Sequence, residues 1–311
     1  MKKDFLSISD LSCQEIDQLI QQALIMKQGD MRCLIPWKAV ALLFEKPSLR
    51  TKVSFDLAVS QLGGHAIYLS PQEVGLGKRE SVPDVARVLS RYVDCIVART
   101  FSQETLRTLA EYSSVPVINA LSDLEHPCQA LSDFMTIYEK KSQLCGLTLA
   151  FVGDGNNVAN SLLLAASQVG MNFRIATPPG YEIREEILSQ GREFAGHSGS
   201  QIQVTNEPQE AVRGADVVYT DAWASMGEEA EREERLRAFA YYQVDEELLS
   251  MAKKDALFMH CLPAHRNEEV SAWLLDSPQS VVFDQAENRL HLQKALLVKV
   301  FLPGNSGVPN E

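Results

Sequence analysis

Short apolar runs rich in Val, Ile and Ala punctuate the chain at 39–44, 66–69, 95–98 and 117–119, then again at 147–152, 173–176, 217–220 and 256–259. Polar, helix-like stretches separate them. Continuous apolar runs of this length, alternating with helical periodicity, predict strand–helix units and parallel sheets covered on both faces. Between the two sets, Ala130, Leu131, Phe134, Ile137 and Tyr138 recur near helical spacing and predict a connecting helix over 126–141. Ala286, Leu290, Ala295, Leu296 and Val300 predict a final helix over 285–302, and 303–307 reads as a tail.

The expected fold class is therefore α/β, with two domains that each carry a parallel sheet flanked by helices. A length of 311 residues suits two such units. The composition, 45% hydrophobic and 23% charged, is that of a globular protein, and no apolar run approaches the ~18–20 residues of a membrane span. A net charge of −12 disfavours nucleic acid and anionic membrane surfaces as partners. An anionic small molecule then needs a locally basic pocket. Six scattered cysteines without paired spacing suggest neither a zinc ribbon nor a disulfide framework, and a cytoplasmic location is expected.

In open parallel sheets, ligands bind beyond the carboxyl ends of strands. Each polar motif here follows an expected strand. Ser48, Leu49, Arg50 and Thr51 open a helix, where backbone N–H groups, two hydroxyls and a guanidinium suit a phosphate. A simple helix cap at Ser48 would leave the same signature. Arg99 follows the third strand, and His126 and Gln129 follow the fourth; together they suit a carbonyl oxygen that gains charge during attack.

Gly153 and Gly155 resemble half of a dinucleotide fingerprint, but Val158 stands at the third glycine position and no acidic residue ends the following strand. A turn presenting Asn157 to a substrate carboxylate or amine fits better. Asp221 ends a strand and suits a cationic amine. The charged run 228–237 reads as a solvated helix face or a closing lid. His260 and Cys261 crowd another strand end, without the second pair of ligands a zinc site needs. Arg289, by its local sequence, reads as a surface residue.

Taken in order, His126-Pro127-Cys128-Gln129, Asp221 through Ser225-Met226-Gly227, His260-Cys261-Leu262-Pro263 and Ala286-Glu287-Asn288-Arg289 resemble the ornithine carbamoyltransferase family, over about residues 34–297. The resemblance implies a carbamoyl phosphate-binding domain over 1–140, completed by the C-terminal helix 285–302, and an ornithine-binding domain over 141–284. It implies Ser48, Leu49, Arg50 and Thr51 on the phosphate, Arg99 bridging to the carbamoyl oxygen, and His126 and Gln129 completing the carbamoyl site. Backbone carbonyls of Cys261 and Leu262, with Arg289 nearby, would orient the carbamoyl group. Asn157, Asp221, Ser225 and Met226 would hold ornithine.

Arg50, Arg99, His126 and Cys261 are the expected catalytic residues. No metal or organic cofactor is expected, and a homotrimer or a multiple of trimers is. The expected reaction is carbamoyl transfer to the side-chain amine of ornithine; putrescine or N-acetylornithine is the alternative acceptor. A phosphate-sensing binding protein and a dehydrogenase are the rivals from other classes. Two positions depart from the family: Leu49 where many members have threonine, leaving only a backbone donor, and Lys52 where many have arginine. Gly75 stands where many relatives carry a glutamine that reaches a neighbouring site.

Overall fold

In the computed structural model, residues 4–29, 33–224 and 231–302 are described. The chain divides into two compact units, Met1–Met135 with Glu287–Glu311, and Thr136–Ala286.

The first unit opens with α1 (Cys13–Lys27), started by a reciprocal cap between Ser12 and Glu15. There follow β1 (Ala39–Phe44), α2 (Leu49–Gln61), β2 (His65–Leu69), α3 (Pro71–Val74), α4 (Val82–Leu89), β3 (Cys95–Arg99), α5 (Gln103–Tyr112), β4 (Val117–Leu121) and α6 (Pro127–Lys141), whose residues from Thr136 onward belong to the second unit. The four strands are parallel in the order β2-β1-β3-β4. β3 and β4 are buried throughout, as strands covered on both faces must be, whereas β2 is an edge strand with partly exposed residues. Ile96, Ala98, Leu106 and Leu109 lie in the core between β3 and α5. Chain order reverses direction at β1, so the loops after β1 and β3 adjoin at a switch point.

The second unit holds β5 (Thr148–Val152), α7 (Asn157–Val169), β6 (Asn172–Ala176), α8 (Glu185–Ser198), β7 (Ile202–Thr205), α9 (Pro208–Val212), β8 (Val217–Thr220), α10 (Arg232–Ala238), α11 (Glu246–Ser250) and β9 (Leu257–His260). Its strands are parallel in the order β7-β6-β5-β8-β9, with a switch point between β5 and β8. Ala150, Val218, Phe239 and Phe258 contribute to one core cluster. The last helix, α12 (Val282–Phe301), starts in this unit and continues into the first.

One strand escapes the apolar pattern. β7 is Ile-Gln-Val-Thr at the sheet edge, with none of its residues buried, so Gln203 and Thr205 are tolerated there and interrupt the apolar run. Gly75 ends α3 with φ 54°, a left-handed position that a glutamine side chain would strain.

Candidate active site

In the first unit, the loop after β1 is tied to the loop after β3. Glu45 N–H donates to the Arg99 carbonyl at 2.8 Å, and Phe101 N–H donates to Glu45 Oε2 at 2.9 Å. Ser48 caps α2, its Oγ accepting from Thr51 N–H at 3.3 Å. The cap predicted from sequence is real, and it is only part of the arrangement. Thr51 is fully buried, and its hydroxyl oxygen accepts from Ser48 Oγ at 3.1 Å and from Arg289 Nη2 at 3.0 Å. Leu49, in contrast, exposes 76% of its surface, so its side chain turns to solvent while its N–H stays at the helix start.

Arg289 is not the surface residue its local sequence suggests. It is buried, because α12 begins at Val282 and carries Arg289 two turns inward, against α2. Arg99 and Gln129 are buried as well. Gln129 Nε2 donates to Asp133 Oδ1 at 2.8 Å, which fixes the amide and leaves Oε1 without a partner among the described residues.

His126 immediately precedes α6 and is buried. Burial pushes its imidazole well below the ordinary histidine range, and the positive charges of Arg289, Arg99, Lys46 and Arg50 push it further. Four cations therefore face one neutral imidazole. In a chain of net charge −12, this is the locally basic pocket that an anionic ligand requires. The neighbouring Cys128 is an inert thiol: it is fully buried, donates to the Asn119 carbonyl, and burial pushes its pKa up to about 12.

In the second unit, the loops at the switch point are joined by side chains. Asn156 caps α7, its Oδ1 accepting from Val158 and Ala159 N–H, while Nδ2 donates to Asp221 Oδ2 at 2.9 Å. Asp221 Oδ1 accepts from Ala222 N–H at 2.8 Å and from the Cys261 thiol at 3.0 Å. Asn157, half-buried, is the first residue of α7. Sequence reasoning chose Asn157 and missed that Asn156 makes the cap and the bond to Asp221. Ser225 and Met226 lie outside the described residues.

The dinucleotide alternative meets a steric obstacle. A Cβ on Gly155 would lie 2.4 Å from the Ile183 nitrogen, so the space that a pyrophosphate would use beside this glycine is filled by the chain's own backbone. A metal is also poorly served. Ligand atoms of Asp221, His260 and Cys261 lie within 4.8 Å of one another. Yet His260 Nδ1 accepts from Leu262 N–H at 2.9 Å, and Nε2 pairs with Glu269 Oε1 at 3.1 Å, so the ring has no lone pair to give.

The charged run 228–237 is not wholly a solvated face. Arg235 is buried, donates to Asp154 Oδ2 at 2.8 Å and to the Trp223 carbonyl at 3.0 Å, and lies over the Tyr181 ring. It links the loop after β5 to the loop after β8. Local spacing does not mark it out, because the exposed pair Glu233 and Arg237 shares the four-residue spacing of Glu231 and Arg235.

Two parallel α/β units, one with a cation-lined cradle at its switch point and one with a carboxylate–thiol pair at its own, define an α/β enzyme for an anionic donor and a polar acceptor. The family model for the aspartate/ornithine carbamoyltransferase carbamoyl-P binding domain matches residues 3–139, and that for the Asp/Orn binding domain matches 145–300. An ornithine carbamoyltransferase of Anoxybacillus flavithermus is 51% identical over 302 residues, covering 96% of each chain. The solved ornithine carbamoyltransferase of Pyrococcus furiosus is 49% identical with a TM-score of 0.92, over 95% of this chain and 96% of that one. The anabolic enzyme of Campylobacter jejuni superposes with a TM-score of 0.93 at 41% identity, over 96% of this chain and 99% of that one. The chain belongs to the aspartate/ornithine carbamoyltransferase family.

Proposed function

We infer that the protein transfers the carbamoyl group of carbamoyl phosphate to the side-chain amine of L-ornithine, giving L-citrulline and phosphate. The observation that carries this reading is the set of cations around neutral His126 in the unit that matches a carbamoyl-P binding domain. Relatives near 50% identity over most of the chain bear the ornithine name, and those named anabolic point to arginine biosynthesis.

In this reading, the α2 N–H groups, the hydroxyls of Ser48 and Thr51, and Arg50 bind the phosphate. Arg99 bridges to the carbamoyl oxygen, and His126 donates to it as a neutral imidazole. The Gln129 Oε1 acceptor, with the carbonyls of Cys261 and Leu262, takes the carbamoyl NH2, while Arg289 supports the cradle through Thr51. Asn157, Asp221, Ser225 and Met226 hold the amino-acid end of ornithine. The deprotonated side-chain amine attacks the carbonyl carbon, and charge growing on its oxygen is met by donors already in place. The C–O bond to phosphate then breaks, and phosphate leaves with that electron pair and takes up the proton that the attacking nitrogen sheds. No step needs a covalent enzyme intermediate.

A homotrimer, or a multiple of it, is part of the proposal. Leu49, Val53 and Leu57 recur every four residues on α2 and expose an apolar stripe, a surface suited to a second copy of the chain. A cytoplasmic location fits a structure in which no described helix is long and apolar enough to cross a membrane.

Phosphate release from carbamoyl phosphate, with ornithine, putrescine, N-acetylornithine or aspartate offered separately, tests the reaction. Rapid release with ornithine alone is expected. Equal turnover with putrescine or N-acetylornithine would overturn the choice of acceptor, and nicotinamide binding without turnover would overturn the reaction class.

A further inference from the structure

We propose that His260, held by Glu269, is a positioning residue that aims the Cys261 carbonyl at the reacting group. The inference rests on the reading above in which that carbonyl meets the carbamoyl NH2. Both His260 and Glu269 are completely buried. The ring is fixed at two points: Nδ1 accepts from Leu262 N–H at 2.9 Å, and Nε2 lies 3.1 Å from Glu269 Oε1. Since a backbone N–H can only donate, Nδ1 carries the lone pair and Nε2 carries the proton.

The consequence follows from peptide geometry. Leu262 N–H and the Cys261 carbonyl belong to one planar trans unit and point in opposite directions. Tying the N–H to His260 therefore turns the Cys261 oxygen away from the ring. Leu262 itself has φ 58°, a left-handed conformation uncommon for a leucine, so the turn needs outside support.

Glu269 supplies that support. Burial pushes its carboxyl up, but hydrogen bonds from His260 and from backbone N–H groups more than offset this and hold it below the ordinary range, as a carboxylate acceptor. His265 N–H adds a bond to the same Oε1 at 2.5 Å. From the other side, His260 N–H donates to Gln285 Oε1 at 3.0 Å, and Gln285 Nε2 donates to Tyr219 Oη at 3.0 Å. A histidine that only filled the core would have no need to spend its single acceptor on the peptide next to Cys261. Such supporting hydrogen bonds behind a reacting group govern its orientation.

Two near-isosteric substitutions separate the ring's two bonds. His260→Asn keeps an acceptor near the Nδ1 position, and His260→Gln keeps a donor near Nε2. Both would be made beside Glu269→Gln as well, so that no buried carboxylate is left unpaired. Expected are a kcat for His260→Asn within about tenfold of the parent and a kcat for His260→Gln lower by about 100-fold, the scale of one misplaced oriented group. Melting temperatures of the two should agree within a few degrees, and inorganic phosphate, which binds through the first unit, should keep its Kd by calorimetry in both. Equal kcat losses in the two variants, or losses that track melting temperature, would overturn the positioning role. If the parent itself fails to turn over ornithine, the functional reading is what has failed.

Discussion

Thr51 accepts hydrogen bonds from Ser48 and Arg289, which couples the start of α2 to a helix residue 238 positions later. In the proposed reading, Arg50, one of the cations acting on His126, directs charge at the phosphate. Replacing Arg50 by Ala should lower kcat/KM by about 10²–10³, equivalent to about 2.7–4 kcal/mol of transition-state stabilisation. Steady-state kinetics decide it, and near-normal rates would remove Arg50 from the site.

His126 makes a second prediction at this scale. Its folded pKa is lowered, so between the unfolded value of about 6.5 and the lower folded value the unfolded chain takes up a proton that the native chain refuses. Stability should therefore decline as pH falls below about 6.5, and His126→Gln should flatten that decline in denaturant titrations. Imidazole NMR should show His126 neutral at pH 6.5; a midpoint there would contradict its burial among cations. Glu269 has the opposite assignment but a similar sign. Its carboxylate contribution is complete at neutral pH and is lost as pH falls through its lowered folded pKa.

Elements place these residues, and α10 shows how. The run 228–237 looked solvated because its residues are nearly all charged, yet Arg235 is turned inward onto Asp154 and Trp223. A charge run reports average polarity, not which single residue meets a buried partner. Arg235→Met would break the pair with Asp154, whose side chain is 12% exposed, and should cost up to about 3–5 kcal/mol of stability, as breaking a buried pair does. It should also raise KM for ornithine more than for carbamoyl phosphate. A thermal melt unchanged from the parent would show the pair to be dispensable. On α2, the stripe of Leu49, Val53 and Leu57 predicts that Val53→Lys with Leu57→Glu releases monomers in analytical ultracentrifugation; an intact trimer would place the interface elsewhere.

For the molecule as a whole, α12 is the long-range tie. Its residues from Glu287 onward pack with the first unit, where Lys27 bonds Asn288, Lys299 pairs with Glu15 and Arg289 meets Thr51. A chain ending at Ala286 should lose phosphate binding and destabilise the first unit, seen as a lowered melting temperature with calorimetric loss of phosphate affinity. Retained phosphate affinity would show that Arg289 adds nothing to the cradle.

Much was legible in the sequence because parallel strands buried on both faces must be continuously apolar, and eight of the nine strands among the described residues were visible as such runs. Strand-end segments such as Ser48–Thr51 and His126–Gln129 could be singled out as candidates because, in a parallel sheet, the groups a ligand would meet follow the strand directly. The edge strand β7 was hidden because Gln203 and Thr205 break its apolar run. What local sequence could not reveal was partnership over distance. Burial of Arg289 beside Thr51, the pairing of Asn156 with Asp221, the inward turn of Arg235 and the aim of His260 all depend on where packing brings separate segments together. Periodicity and spacing determined the elements and the residue types at their ends; only tertiary structure decided which charges are desolvated and which donors meet which acceptors, because those are properties of neighbours in space.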